Sequence, residues 1–183
     1  LPAQTGKIIS IHIHKQIDNY ATMKRSKLDK IDRKILLTLQ EEGRITNVDL
    51  AKKAGISAPP CLRRVRALEE SGFIKSYHAF LDPHKLGYGI TVFAHVSLTS
   101  HNDVDLKKFE IKIREWPFVR EAHLLSGETD VLLKVVAKDW EAYQHFLTTS
   151  LLATENVAAV RSSIAIRTSK LEPGVPINDN LSA

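Results

Sequence analysis

Three arginines fall within four residues, Arg63, Arg64 and Arg66, inside the segment "SAPPCLRRVRALEESGFI" that runs from Ser57 to Ile74. A guanidinium is planar, permanently charged and forked, so it can bind a phosphate or the O6 and N7 of guanine through two parallel bonds. The residues before the arginines bear on how they are presented. Ser57 has the side chain of a helix N-cap, and Pro59 and Pro60 fall in the first turn, where a missing N–H leaves no intrahelical acceptor wanting. At about 100° per residue, Cys61, Leu62, Val65 and Leu68 share one side, Arg63, Arg66 and Glu70 lie opposite, and Arg64 is on the flank. A stiff, cation-bearing helix start of this kind suits insertion into a DNA major groove, where the helix N-terminus itself favours phosphate. The plainer alternative pairs the arginines with Glu69, Glu70 or carboxylates of an earlier helix.

The elements that must position this segment precede it. Leu28, Ile31, Ile35, Leu36 and Leu39 recur at three- and four-residue steps and predict a first helix, with Asp29 and Asp32 at its dipole-favoured end and Gly43 as its stop. In "RITNVDLAKKAG", Thr46 or Asn47 can cap a short second helix whose inner face is Leu50, Ala51 and Ala54. Gly55 allows the left-handed turn that ends it. Lys52 and Lys53 stand ready to support on the DNA backbone.

After Ile74 the period changes from helical to alternating. "IKSYHAFLD" and "ITVFAHVSLTS" read as strands, separated by a connector marked by Pro83, Gly87 and Gly89. The remainder reads as helix ("DVDLKKFEIKIREWP", with Leu106, Phe109, Ile113 and Trp116 inward), two strands around a short turn, helix ("DWEAYQHFLTTSLL") and a last strand ("NVAAVRSSIAIRTS"). From Ile90 the order is βαββαβ, an antiparallel sheet with both helices on one side. The other sheet face needs cover, and a second copy of the chain supplies it.

Charge divides along the same line. Residues 23–75 carry 13 basic and 7 acidic residues, a net +6, whereas residues 76–183 carry 11 and 13, a net −2. A small basic unit joined to a mildly acidic one fits a nucleic-acid reader attached to something else. No apolar run approaches the roughly 20 residues that a membrane helix needs, and the lone Cys61 suits a reducing compartment, so a cytoplasmic protein is expected. The only methionine is Met23, so residues 1–22 read as a leader that is non-native or poorly ordered, with a short strand at "KIISIHIHK". His12, His14 and the scattered His78, His84, His95, His101, His123 and His145 lack zinc spacing or a neighbouring nucleophile. Trp116 and Trp140 fit helix-to-sheet packing, and Cys61 fits a small core position. No catalytic residue, metal site or cofactor is expected.

These motifs together resemble the leucine-responsive (Lrp/AsnC, feast-or-famine) transcription regulators over about Lys27 to Lys170. The resemblance rests on Asp-x-x-Asp-x-x-Ile-Leu from Asp29, Leu-Ala-x-x-x-Gly-Ile-Ser from Leu50, Arg-x-x-x-Leu-Glu-x-x-Gly-x-Ile from Arg64 and Gly-x-x-Asp from Gly127. It implies an α+β chain: a helix-turn-helix, winged-helix-like domain over 23–75, a hinge strand and linker over 76–89, a ferredoxin-like βαββαβ sandwich over 90–170 and a tail over 171–183. It also implies a sequence-specific regulator of double-stranded DNA, not an enzyme, that forms a homodimer and higher assemblies (tetramer or octamer). An amino-acid effector is implied at Ser126, Gly127, Glu128, Thr129 and Asp130, with the Asp130 carboxylate on an α-ammonium and turn N–H groups on a carboxylate. The chain departs from the pattern at Val131, where many relatives have an aromatic. On the residues alone, "SGETD" is also a plain hairpin turn with Gly127 at positive φ. Two other classes stay open: an enzyme acting on tetrapyrroles, which needs a histidine or arginine cluster and no DNA-facing arginines, and a pure assembly module.

Overall fold

The computed structural model describes residues 28–172 and 174–177. The leader, its histidines and its expected strand lie outside the described residues. The described residues divide into two compact units, one made of residues 28–80 together with the segment from Ser169, the other of residues 81–168.

The first unit contains α1 (Lys30–Glu41), α2 (Asn47–Ala54) and α3 (Ala58–Glu70). Asp29 caps α1 in a capping box. Its side chain accepts from the Asp32 N–H, and the Asp32 side chain accepts from the Asp29 N–H. Thr46, rather than Asn47, caps α2. The Asn47 amide instead donates to the Ala58 carbonyl at 2.9 Å, tying the starts of α2 and α3 together. Gly55 ends α2 in the left-handed region (φ 79°), and the Ile56 N–H closes the turn on the Ala51 carbonyl. α3 therefore starts three residues after α2 stops. Ile35, Leu50, Ala51, Ala54, Cys61 and Leu68 form the buried core. Leu62, expected on the inner side, is instead exposed. It follows Cys61 by one residue, and one 100° step carries it past the edge of a contact only as wide as two short helices.

No strand forms over Ile74–Leu81, against expectation, because no described segment of the chain pairs with it; a strand without a ladder partner has no hydrogen bonds to hold it. Tyr77, in this stretch, donates its hydroxyl hydrogen to a Glu69 carboxylate oxygen on α3 at 2.9 Å. Burial, then the Glu69 hydrogen bond, push its phenol up to about 12. The folded state thus favours the neutral phenol. The contribution is complete below the ordinary value of 10 and is lost as pH rises through about 12. An absorbance titration of phenolate, parent minus Tyr77→Phe, should give a midpoint near 12.

The second unit contains β1 (Ile90–Leu98), α4 (Asp103–Arg114), β2 (Val119–Leu124), β3 (Val131–Ala137), α5 (Trp140–Phe146), which continues as a π-helical turn over Leu147–Leu151, and β4 (Val157–Ile164). The sheet order is β2-β3-β1-β4 with every neighbouring pair antiparallel. Alternation along β1 and β3 sends Val92, Ala94, Val96, Leu98, Val131, Leu133, Val135 and Ala137 into one core with Phe109, Ile113, Trp116, Tyr143, Phe146 and Leu151. Val131 is thus a core residue. Trp116 lies edge-on between Phe109 and Phe146. The opposite face holds the half-buried Phe93, His95, Leu132, Lys134 and Val136, which no helix among the described residues of this unit covers.

Candidate nucleic-acid interface and loop site

In the helix-turn-helix, the core side of α3 is fixed by Cys61 (0 % exposed) and Leu68 (4 %). Burial pushes the Cys61 thiol up, as befits an inert core sulfur. On the other side Arg63 and Arg66 are exposed and form no ion pair with a described residue. Ser57 and Pro59 are exposed beside them. The Ser57 hydroxyl makes no cap bond, contrary to its expected role, and the helix begins with prolines that demand fewer acceptors.

Arg64 behaves differently from its neighbours. Its guanidinium lies 2.7 Å from Asp29 Oδ2 and 2.6 Å from Asp32 Oδ1, both in the capping box of α1. The bonds to Asp32 and then Asp29 hold Arg64 above its ordinary value, and Asp29 is held low by the Asp32 backbone N–H and by Arg64. The plainer alternative, pairing with carboxylates of an earlier helix, thus describes Arg64 and not Arg63 or Arg66. The pair of aspartates could have been read from sequence. Carboxylates three residues apart share a helix face and present two acceptors to one fork.

Lys53 lies 2.7 Å from Glu42 and Lys52 lies 3.4 Å from Asp49. The Glu42 hydrogen bond holds Lys53 above its ordinary value, and the Thr46 hydroxyl, then Lys52, hold Asp49 below. All four side chains are more than half exposed. Such pairs exchange readily for phosphate, because exposed ion pairs are worth only about 0–1 kcal/mol.

In the second unit, Ser126, Gly127 and Glu128 are exposed, whereas Thr129 and Asp130 are half-buried. Gly127 is absent from the positive-φ residues, so the plain hairpin turn with left-handed Gly127 does not form. The turn is closed by the Leu125 N–H on the Asp130 carbonyl at 2.8 Å. Asp130 Oδ2 accepts from the Leu98 N–H at 2.7 Å, and Oδ1 lies 2.8 Å from His101 Nε2. Each oxygen is therefore held by one contact within the unit and keeps a second lone pair, so Asp130 is oriented by Leu98 and His101 and not exhausted by them. His101, read from sequence as an ordinary histidine, is the residue missed here. No spacing signal joins positions 101 and 130, because only the β1–β3 pairing brings them together. The backbone N–H groups from Ser126 to Thr129 donate to no described residue. A separate recess of about 630 Å³ lies between α4 and the end of α5, over Phe109 and Trp116, and includes none of these loop residues.

Comparison with known proteins matches residues 28–75 to a winged helix-turn-helix DNA-binding model and residues 91–175 to an Lrp/AsnC ligand-binding domain model. The chain is 52% identical over 143 residues to a leucine-responsive regulatory protein of Rhizobium meliloti, covering 78% of this chain and 92% of the relative. It is 41% identical to a bkd operon transcriptional regulator of Pseudomonas aeruginosa, covering 83% and 99%. Among solved structures, a transcriptional regulator of Neisseria meningitidis in complex with L-methionine superposes with a TM-score of 0.80 at 38% identity, covering 83% of this chain and 98% of that one. An AsnC family regulator from Agrobacterium tumefaciens gives 0.77 at 39%, covering 81% and 97%.

Proposed function

Because the chain belongs to the Lrp/AsnC family of transcriptional regulators, we propose that it reads double-stranded DNA through Ser57, Pro59, Arg63 and Arg66 on α3, with Lys52 and Lys53 of α2 on the backbone. One observation carries this reading: Arg63 and Arg66 stand exposed, with no carboxylate partner among the described residues, on a helix whose other side is locked into the core. Arg64 is assigned a positioning role, holding α3 to the start of α1 through Asp29 and Asp32. Since regulators of this fold bind as dimers, the target is an inverted repeat with half-sites one helical turn or a multiple apart. The test is retardation of genomic fragments over a salt series. The affinity falls linearly on log–log axes if phosphates dominate; a flat response removes the reading.

The same proposal makes the second unit an amino-acid sensor and assembly domain of a cytoplasmic protein. Among the described residues, no helix is long and apolar enough to cross a membrane. The N–H groups of Ser126 to Thr129 are available to a carboxylate, as in other turn-built anion sites. Asp130, half-buried, and the exposed Glu128 are the loop's two carboxylates for an α-ammonium. The likeness to a regulator solved with L-methionine supports the ligand class. Thermal shift across a panel of amino acids should find a stabilising ligand, and Glu128→Gln should weaken it by roughly tenfold, the worth of one charge-assisted bond. No response from any amino acid would end this part of the proposal. The sheet face with Phe93, Leu132 and Val136, which no helix among the described residues of its unit covers, supports a homodimer formed there, with tetramers or octamers built from it, and light scattering measures the assembly.

A further inference from the structure

After β4 the chain rejoins the DNA-binding unit, since the segment from Ser169 groups with the three helices and not with the sheet. Among the described residues, one side chain hydrogen-bonds the segment. Gln40, half-buried near the end of α1, donates from Nε2 to the Val175 carbonyl at 2.9 Å, and its Oε1 accepts from the Val175 N–H at 3.0 Å. A primary amide carries a donor and an acceptor in one plane, as a peptide unit does, so it can pair both backbone groups of one residue much as a neighbouring strand would. The preceding residue is matched to this contact. Gly174 has φ 78°, a region that favours glycine, and a Cβ built on it would land inside the Gln40 amide. Pro176 follows, with no N–H of its own to satisfy.

We propose that the Gln40 face of α1 is a docking surface for this chain's own C-terminal segment, and that docking gives the DNA-binding unit a second, reversible tie to the chain leaving β4, besides the covalent linker before β1. Through Gln40 the surface recognises backbone and a glycine. Leu171 and Val175 remain 56 % and 65 % exposed and Ile177 is half-buried, so apolar burial adds only a small share. Two neutral hydrogen bonds at the surface form a weak latch, and tethering supplies the effective concentration that keeps it closed. A latch of this strength opens and closes readily. Changes in the sheet unit that move the end of β4 can then reach α1 directly through the tail, independently of the DNA contacts and of which ligand the loop takes.

Hydrogen exchange of the full chain tests this, read at the Val175 amide in parent, Gln40→Ala, Gly174→Ala and the double variant. The parent should protect Val175, each single variant should exchange there roughly tenfold faster, as expected for an opened hydrogen bond, and the double variant should be no faster than either single one. Gly174→Ala alters only the tail, so an effect there cannot come from misfolding of α1. Equal exchange at Val175 in parent and Gly174→Ala, or additive effects in the double variant, would overturn the proposal.

Discussion

Replacing Arg63 and Arg66 together by alanine lowers DNA affinity by roughly 30- to 20,000-fold at fixed salt, taking about 1–3 kcal/mol for each lost contact. The two arginines are exposed and have no carboxylate partner among the described residues, so their truncation removes charge from the interface without stranding a buried partner there. The salt series separates their roles. If both arginines meet phosphates, the slope of log affinity against log salt becomes shallower by about 2. If one reads guanine, its share of the loss appears only on sites carrying that base. Arg64→Ala is the contrasting variant, because it leaves Asp29 and Asp32 without their shared cation and acts through the stability of the α1–α3 contact. At partly exposed pairs that effect is about 1 kcal/mol or less per pair. Unchanged binding by the double variant beside a collapse with Arg64→Ala would reverse the assignment.

What could be read from sequence, and what could not, follows from the range of the interactions. Helices and strands whose apolar residues repeat over several turns were legible, because periodicity is local: Ile31, Ile35 and Leu39 on α1, or the alternation of Val92, Ala94 and Val96 on β1. The extended stretch at Tyr77 and Phe80 looked like a strand by the same rule, but alternation states only that a strand could pair and not that a partner exists. The binding surfaces divide in a similar way. Arg63 and Arg66 lie on the exposed side because the inner side is set within the same helix. Arg64 sits at the boundary between the two sides, where a distant carboxylate pair decides its direction. The Asp130 contacts with Leu98 and His101 span about thirty residues and depend on strand register. The Gln40–Val175 contact spans 135 residues, and no composition or spacing in the tail announces it.

Ile35→Ala melts the DNA-binding unit while leaving the sheet unit folded. Ile35 is 0 % exposed, and of the six buried residues in that core Ala51, Ala54 and Cys61 are small, so Ile35, Leu50 and Leu68 supply most of its volume. Removing three carbons from such a site costs about 2–5 kcal/mol once the residual cavity is included. A unit of some fifty residues, at about 0.05–0.15 kcal/mol per residue, has only about 3–8 kcal/mol in total. The substitution therefore consumes most of the margin in the first unit. The second unit has its own core of 14 buried residues, from Val92 to Leu151, and loses none of them. Calorimetry should show the parent's lower transition moving below working temperature with the upper one in place. DNA binding is then lost, whereas assembly and any amino-acid response persist. Ile35→Val, at about 0.5–1.5 kcal/mol, should keep DNA binding with a lowered first transition. A single transition that shifts as one in both variants would mean that the two units unfold together, and the tail latch on α1 would be the first contact to examine as the cause.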